Sequence, residues 1–504
     1  MESSGSSRAG LARGGALSFV GSATSAALGF VVVIVLGRAL GAQGAGVVTQ
    51  ATGVFTIIMA LAKLGLDSTS IYLLPRLLVD DPGSVRRAVR LMTWLCLGVG
   101  TAAALLVWAL APALWEAGTD GVAVSVRALA PFIPLAAATV VLGAVLRALG
   151  SVREYVVISN ITVPTLRLPL VWVSGVAVGS AVATAVAWAA PFLVALALAA
   201  VLLRPRLARV EAAAGSAPSG EGRSADQLGH DILAFALPRT LTAGLEQVLI
   251  WVDVLIVGWL AGDAGAGVYG GASRFIQAGL LVDAALRVVV SPLFSTYVHQ
   301  TRLRELQDLY ATATAWLVLF GTPAYAVLLV FSPTVLGLMG EEFVAGEYAL
   351  QLLCVGAILT FLAGNIHSLL LMSGRAGWAA VNKAVVLTVN VVGNVLLVPR
   401  WGIAAAAAVW SVCMLLDAVL ALLQVRHFIG VRPSPRESLE ALAIVVGTVL
   451  VPCALIRVLV GTSWLAVGIA AAVCLPLYCA AVAWRRRQVH LDGLVGAVRR
   501  KSQG

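Results

Sequence analysis

Apolar runs of similar length recur along the chain, separated by short polar stretches. They lie near 15–36, 47–66, 91–112, 126–147, 155–178, 180–203, 233–260, 266–290, 310–332, 347–372, 382–399, 402–425, 441–461 and 463–484. Each approaches the roughly 20 residues that a helix needs to cross the hydrocarbon core of a bilayer. The pattern predicts an all-α polytopic membrane protein of about 14 transmembrane helices. The one composition shift, EAAAGSAPSGEGRSAD from Glu211 to Asp226, is small and polar and reads as a flexible linker.

Composition narrows the class. A mean hydropathy of +0.97 with 60% hydrophobic and 12% charged residues excludes a soluble globule, whose charged share would be about 25%. The formal net charge of +10 does not mark a nucleic-acid partner, because the basic residues fall in alternate loops rather than in one patch. Among them are Arg86, Arg87 and Arg90; Arg204, Arg206 and Arg209; Arg302 and Arg304; Arg375 and Lys383; Arg426, Arg432 and Arg436; and Arg485 to Arg487. The opposite loops are short and acidic, with Glu116, Asp120, Asp263, Glu341, Glu342 and Glu347. The positive-inside rule then places both termini in the cytoplasm, in the cell inner (cytoplasmic) membrane. Arg8 and Arg13 precede a run too long for a cleavable signal core, so the first run reads as a retained span. The six cysteines all lie inside apolar runs with no C-x-x-C pair, which argues against a disulfide framework or a metal set.

Two stretches echo one another: VLGRALGAQGAGV from Val35 and IVGWLAGDAGAGV from Ile256. Gly37, Gly41, Gly44 and Gly46 map without a gap onto Gly258, Gly262, Gly265 and Gly267, an offset of 221. A second echo, GSAVATAV from Gly179 and GIAAAAAV from Gly402, has an offset of 223. The chain therefore reads as a duplication: a six-helix lobe over 1–210, a cytoplasmic linker over 211–230, a second six-helix lobe over 231–430, and two extra helices with a basic tail over 431–504. Duplicated bundles of this kind are a common build of secondary transporters.

Ionisable side chains inside such runs are costly and normally face protein or water. The seventh run carries Arg239, Glu246 and Asp253 at seven-residue spacing, which stacks them on nearly one helix face. The eighth carries Arg274, Asp283 and Arg287; the fifth carries Arg167 between Pro164 and Pro169; the twelfth carries Asp417, and the second Lys63. One reading is a central aqueous cavity in which arginines attract an anionic group and carboxylates balance or gate them, since a guanidinium donates two parallel hydrogen bonds to a phosphate. The other is structural: Arg239, Arg287 and Lys63 snorkel to headgroups, and Asp283–Arg287 and Lys63–Asp67 are i,i+4 pairs. Ser18, Ser22 and Ser25 form a small polar stripe that either lines the cavity or packs closely. Asn365, His367, Asn390 and Asn394 are further polar candidates, with His367 read as a packed or bonded residue rather than a proton carrier.

The residues resemble the oligosaccharide flippases of the multidrug/oligosaccharidyl-lipid/polysaccharide exporter superfamily. Three segments carry the resemblance: GRALGAQGAG at 37–46 with the span ending Lys63-Leu64-Gly65-Leu66; DVLIV at 253–257 leading into AGVYGGASR at 266–274; and NVVGNVLLVPRWGIA at 390–404. The resemblance implies two six-helix lobes around a cavity that opens alternately to each side. It implies a polyprenyl-diphosphate-linked glycan as substrate, the lipid bilayer as its surroundings, and glycan-assembly enzymes as candidate partners of a monomer. The family's cationic cavity is echoed by Arg167, Arg239 and Arg274; with Asn390 these are the candidate substrate contacts, and Glu246, Asp253, Asp283 and Asp417 are the candidates for ion coupling or gating. Relatives that flip the peptidoglycan precursor carry two extra C-terminal helices, similar in position to the last two runs here. They also place arginine within the first helix, and this chain has none between residues 14 and 37.

The alternative within the same superfamily is a multidrug and toxin extrusion antiporter, for which Glu246 and Asp253 would form a cation site; Arg167 and Arg274 oppose it by repelling a cationic drug. A membrane enzyme is disfavoured because the outer loops are short and hold no catalytic triad, DxD motif or metal-spaced cluster. No Walker-type loop is present, so ATP does not drive the protein and no cofactor is expected. Membrane potential or an ion gradient remains as the energy source.

Overall fold

The computed structural model describes residues 3–115, 121–214, 224–431 and 435–485. Among these the regular elements are helices throughout. Ten are long and apolar enough to cross a membrane, or eleven if the bent pair Val122–Leu129 and Phe132–Ala148 is one span. The chain is a multi-pass membrane protein. The Glu116 and Asp120 loop, the centre of the 211–230 linker, Arg432 and the terminal basic cluster from residue 486 lie outside the described residues.

Three helices are too long for one crossing. Ser3–Ala62 has 60 residues, Ala225–His299 has 75 and Ala376–Phe428 has 53. At 1.5 Å per residue even the shortest would measure roughly 80 Å against about 30 Å of hydrocarbon. Each is broken at one glycine with positive φ: Gly41 (φ 66°, ψ −175°), Gly262 (φ 78°, ψ 171°) and Gly402 (φ 58°, ψ −145°). A residue with a Cβ rarely adopts this conformation, so one glycine makes a corner between two helical arms. Gly41 and Gly262 are equivalent in the repeat, and their backbone angles agree closely. Three residues on, a Cβ at Gly44 would stand 2.7 Å from the Leu40 Cβ, and one at Gly265 would stand 3.2 Å from the Ala261 Cβ. The sequence echo is thus an echo of backbone conformation.

By packing, the chain divides into two units, Met1–Leu255 and Ile256–Gly504. The first is built on small residues. Ala136, Ala137 and Ala138 are buried together with Val141, Val145 and Leu146. A Cβ on Gly100 would come within 2.9 Å of the Pro134 Cα, and one on Gly53 within 2.8 Å of the Trp251 ring. Such close approach is how helices associate where lipid removes the hydrophobic drive between them. Pro164 lacks the N–H that would return to the carbonyl of residue 160, and the backbone there widens into a π-turn over Val157–Thr162. Gly179 ends that span in a left-handed conformation, and the Ser180 hydroxyl caps the next helix by accepting from the Ala183 N–H at 3.3 Å.

In the second unit a core of Phe294, Leu306, Tyr310, Ile366, Leu369, Leu370 and Val425 forms between neighbouring spans. The last two long segments, Pro435–Val460 with its π-turn and Trp464–Trp484, are fastened by polar contacts. Arg457 donates to the Val330 carbonyl at 2.6 Å and to Glu347 Oε1 at 2.9 Å. Thr334 donates to the Thr462 carbonyl at 2.8 Å, and the Tyr478 hydroxyl to the Leu319 carbonyl at 2.6 Å.

Candidate functional site

Arg167 is half-buried in the first unit, on the helix that follows the π-turn. The neighbouring helix Ala181–Ala189 stops before Pro191, and carbonyls in a last helical turn lack intrahelical partners. The Trp188 carbonyl in that turn accepts from Arg167 Nε at 2.9 Å. The guanidinium lies over the Trp188 ring, 3.8 Å from its centroid, with the Phe192 ring at 5.7 Å. Phe55 meets Trp188 edge-on at 5.7 Å and fixes the indole. Among the described residues the Arg167 Nη groups donate no hydrogen bond and no carboxylate pairs with them. A desolvated guanidinium is therefore oriented through Nε and the ring face, with two N–H arms left for an anion.

Arg239 lies at a second corner. Lys63, Leu64 and Gly65 turn the chain between two helical segments, with Leu64 at φ 50° and Gly65 at φ 61°. A Cβ on Gly65 would stand 2.9 Å from both the Ala236 carbonyl oxygen and the Arg239 Cβ, so glycine permits this approach. Arg239 then donates to Ser68 Oγ and Thr242 Oγ1, each at 3.2 Å, and stands 4.0 Å from Glu246. Lys63 pairs with Asp67 at 2.7 Å beside it, as the i,i+4 spacing predicts. Arg239 and Glu246 are exposed, whereas Asp253, the third member of the seven-residue stripe, is buried. Ser22 of the polar stripe accepts from Asn160 Nδ2 at 3.3 Å.

In the second unit the candidates fall into three places. Arg274 donates to Gln277 Oε1 at 2.9 Å. Asn390 is buried and accepts from Asn394 Nδ2 at 3.1 Å. Asp283 forms its i,i+4 pair with Arg287, and Asp417 forms the centre of a cluster. The Asp417 carboxylate is buried, and its Oδ2 faces both Lys383 Nζ and His367 Nε2, the latter at 3.4 Å. On the same two helical arms, Asn382 and Gln424 exchange amide hydrogen bonds at 2.9 and 2.7 Å.

Sequence reasoning missed part of this. In sequence Lys383 falls among the charges of the basic loops, but it is drawn onto Asp417. His367 is bonded as well as packed, and its partner, which the sequence does not name, is Asp417. A signal was available, because Lys383, Asn390 and Asn394 recur at spacings of seven and four, which is one helix face. Arg457, inside a late apolar run, was not singled out at all. Trp188, whose carbonyl and ring hold Arg167, carries no charge signal that a pattern could reveal.

Residues 11–298, more than half the chain, match the polysaccharide biosynthesis protein family. A probable low-salt glycan biosynthesis flippase of Haloferax volcanii, Agl15, is 25% identical over 183 residues, which span 36% of this chain and 39% of that protein. Among solved structures, the lipid II flippase MurJ in an inward closed conformation is similar with a TM-score of 0.71 at 12% identity, covering 94% of this chain and 99% of that one. An inward-facing multidrug resistance MATE family transporter of the MOP superfamily is similar with a TM-score of 0.67 at 16% identity, covering 81% of this chain and 94% of that one. At these identities the two structures show a shared fold.

Proposed function

The chain belongs to the polysaccharide biosynthesis protein family, and on that premise we propose that it is a lipid-linked oligosaccharide flippase, moving a polyprenyl-diphosphate-linked glycan from the cytoplasmic to the outer leaflet by alternating access. The flippase relative and the MurJ-like fold support this reading. The observation that carries it is Arg167, a half-buried guanidinium with no carboxylate partner among the described residues and two N–H arms uncommitted. A diphosphate crossing a bilayer needs a fixed, always-charged, fork-shaped donor more than it needs any acid or base. Arg239 and Arg274 supply further positive charge, Asn390 a polar contact for the glycan, and Glu246, Asp253, Asp283 and Asp417 the ion coupling or gating.

The proposed architecture counts the two arms of each glycine-cornered helix as separate spans, giving fourteen with the bent pair as one. Two lobes, 1–210 and 231–430, are joined by the linker 211–230 and followed by the pair of helices in 431–504. Both termini are cytoplasmic in the inner membrane, and the protein works as a monomer beside glycan-assembly enzymes. An anion leaving an inside-negative cell gains about 2.3 kcal/mol per charge per 100 mV, which favours export.

Proteoliposomes holding a fluorescent polyprenyl-diphosphate sugar in the inner leaflet, exposed to an external sugar-cleaving enzyme, test this. Wild type should deliver substrate to that enzyme, and Arg167→Ala should do so at about one-tenth the rate or less, the loss expected of a charge-assisted hydrogen-bond pair. Wild type indistinguishable from empty liposomes overturns the proposal.

A further inference from the structure

We propose that His367 is a proton-binding residue that couples the second unit to a proton gradient, with Asp417 as its counter-ion and Lys383 as a tethered cation that keeps metal ions off that carboxylate. This names the coupling ion of the flippase proposed above and rests on that reading for what the proton drives. The charged groups around His367 are Asp417, Lys383, Asp283 and Arg287. They come from both arms of the Gly402-cornered helix and from the arm after Gly262. Two acids face two bases, so the set is neutral while His367 is neutral and gains one positive charge when it is protonated.

Chemistry selects the proton. Lys383 and Arg287 each sit on a carboxylate, whereas histidine is the side chain whose ordinary titration falls within physiological pH. A hard metal cation seeks several oxygen ligands, and here an ammonium already occupies Asp417 Oδ2. The side chains of His367 and Lys383 are 30% and 37% exposed. In hydrocarbon such charged exposure would be costly, so these faces meet water and a proton has a way in.

Geometry supplies the response. His367 begins the short helix Ile366–Met372, just after a break over residues 362–365. Gly364 in that break has φ 62°, and the Ala363 carbonyl accepts from the buried Tyr310 hydroxyl. The Asn365 amide nitrogen and Asp417 Oδ1 are both buried without a hydrogen-bond partner. At 3.4 Å the His367–Asp417 contact is long for a charge-assisted bond, which would close to about 2.8 Å. Taking up a proton therefore draws the short helix onto the cornered pair and loosens the hold of Lys383 on the shared oxygen.

Two measurements separate this from the flippase reading. Ring nitrogen NMR of detergent-solubilised full-length protein should show a histidine signal that responds to pH and vanishes in His367→Gln. In proteoliposomes, a gradient of about one pH unit should shift the leaflet distribution of the lipid-linked sugar by up to tenfold in wild type. The same ratio, with gradient over without, should be unity in His367→Gln, and replacing sodium by choline should change nothing in wild type. A His367 signal that does not titrate, a variant that keeps the gradient response, or a sodium requirement overturns the proposal. If wild type moves no sugar, the flippase reading falls and the NMR titration still decides whether His367 binds the proton.

Discussion

The two glycine corners match in backbone, but the charges around them do not. At the offset of 221, Gly41 answers to Gly262 with nearly the same φ and ψ. At the same offset Arg239 and Glu246 answer to Ser18 and Ser25, and Arg274 answers to Gly53, against which the Trp251 ring packs. At 223, Arg167 answers to Asn390. The two corners share the turn, which is a steric requirement, and differ in the chemistry around them. The first unit came to hold a cation presented by an indole and a carbonyl; the second came to hold a carboxylate shared by two bases. The first arrangement leaves binding capacity open, and the second consumes it internally.

The sharpest way to break this contrast is to remove Lys383. Lys383→Met leaves the buried Asp417 carboxylate with only His367 beside it; because Lys383 is itself 37% exposed, the cost is about 2–3 kcal/mol, below that for a fully buried pair. Thermal unfolding in detergent should show a large drop, largely restored in the double variant Lys383→Met with Asp417→Asn. Arg167→Met should behave oppositely. It gives up one hydrogen bond to a carbonyl and a stacking contact, about 1–2 kcal/mol, while removing most transport. Equal stability losses at the two sites would erase the distinction between a charge-compensated cluster and an uncommitted cation.

The corners test the other half of the comparison. Gly41→Ala and Gly262→Ala each force a Cβ into a positive-φ extended conformation that is essentially confined to glycine, a cost of about 1–3 kcal/mol apiece. The two losses should agree within about 0.5 kcal/mol, since the strain at each is that of one backbone conformation. A large effect at one corner only would mean that the echo is a sequence motif without shared mechanics.

How much was legible follows the same division. The polytopic all-helical class and the glycine echo could be read because hydropathy and the glycine pattern are local, and each run reports on itself; that Gly41 and Gly262 make corners could not. The i,i+4 pairs Lys63–Asp67 and Asp283–Arg287 were legible for the same reason. The Asp417 cluster was not, because Lys383, His367 and Asp417 come from separate segments whose meeting depends on helix rotation and on the break at residues 362–365. The setting of Arg167 was hidden more deeply. Its partners are a main-chain carbonyl exposed by a proline-terminated helix and an aromatic face, and neither changes the charge pattern. Arg457 escaped notice because a single arginine in an apolar run looks like any other until Glu347 and the Val330 carbonyl are placed beside it.

The smallest effect separates the two legible pairs. Lys63 and Asp67 are 17% and 24% exposed, whereas Arg287 is 53% exposed against 14% for Asp283. A charge in contact with water interacts more weakly with its partner, and pairs at this spacing are worth only about 0.3–0.5 kcal/mol when solvated. Lys63–Asp67 is better shielded and braces the corner on which Arg239 rests, so its double-mutant coupling should reach about 1 kcal/mol. Asp283–Arg287 should stay near 0.5 kcal/mol in stability, because its partners also answer to His367 and the set can redistribute when one member is lost. A coupling larger for Asp283–Arg287 than for Lys63–Asp67 would show that the second unit's charges brace the fold pair by pair, and would remove the reason to treat them as one exchangeable set.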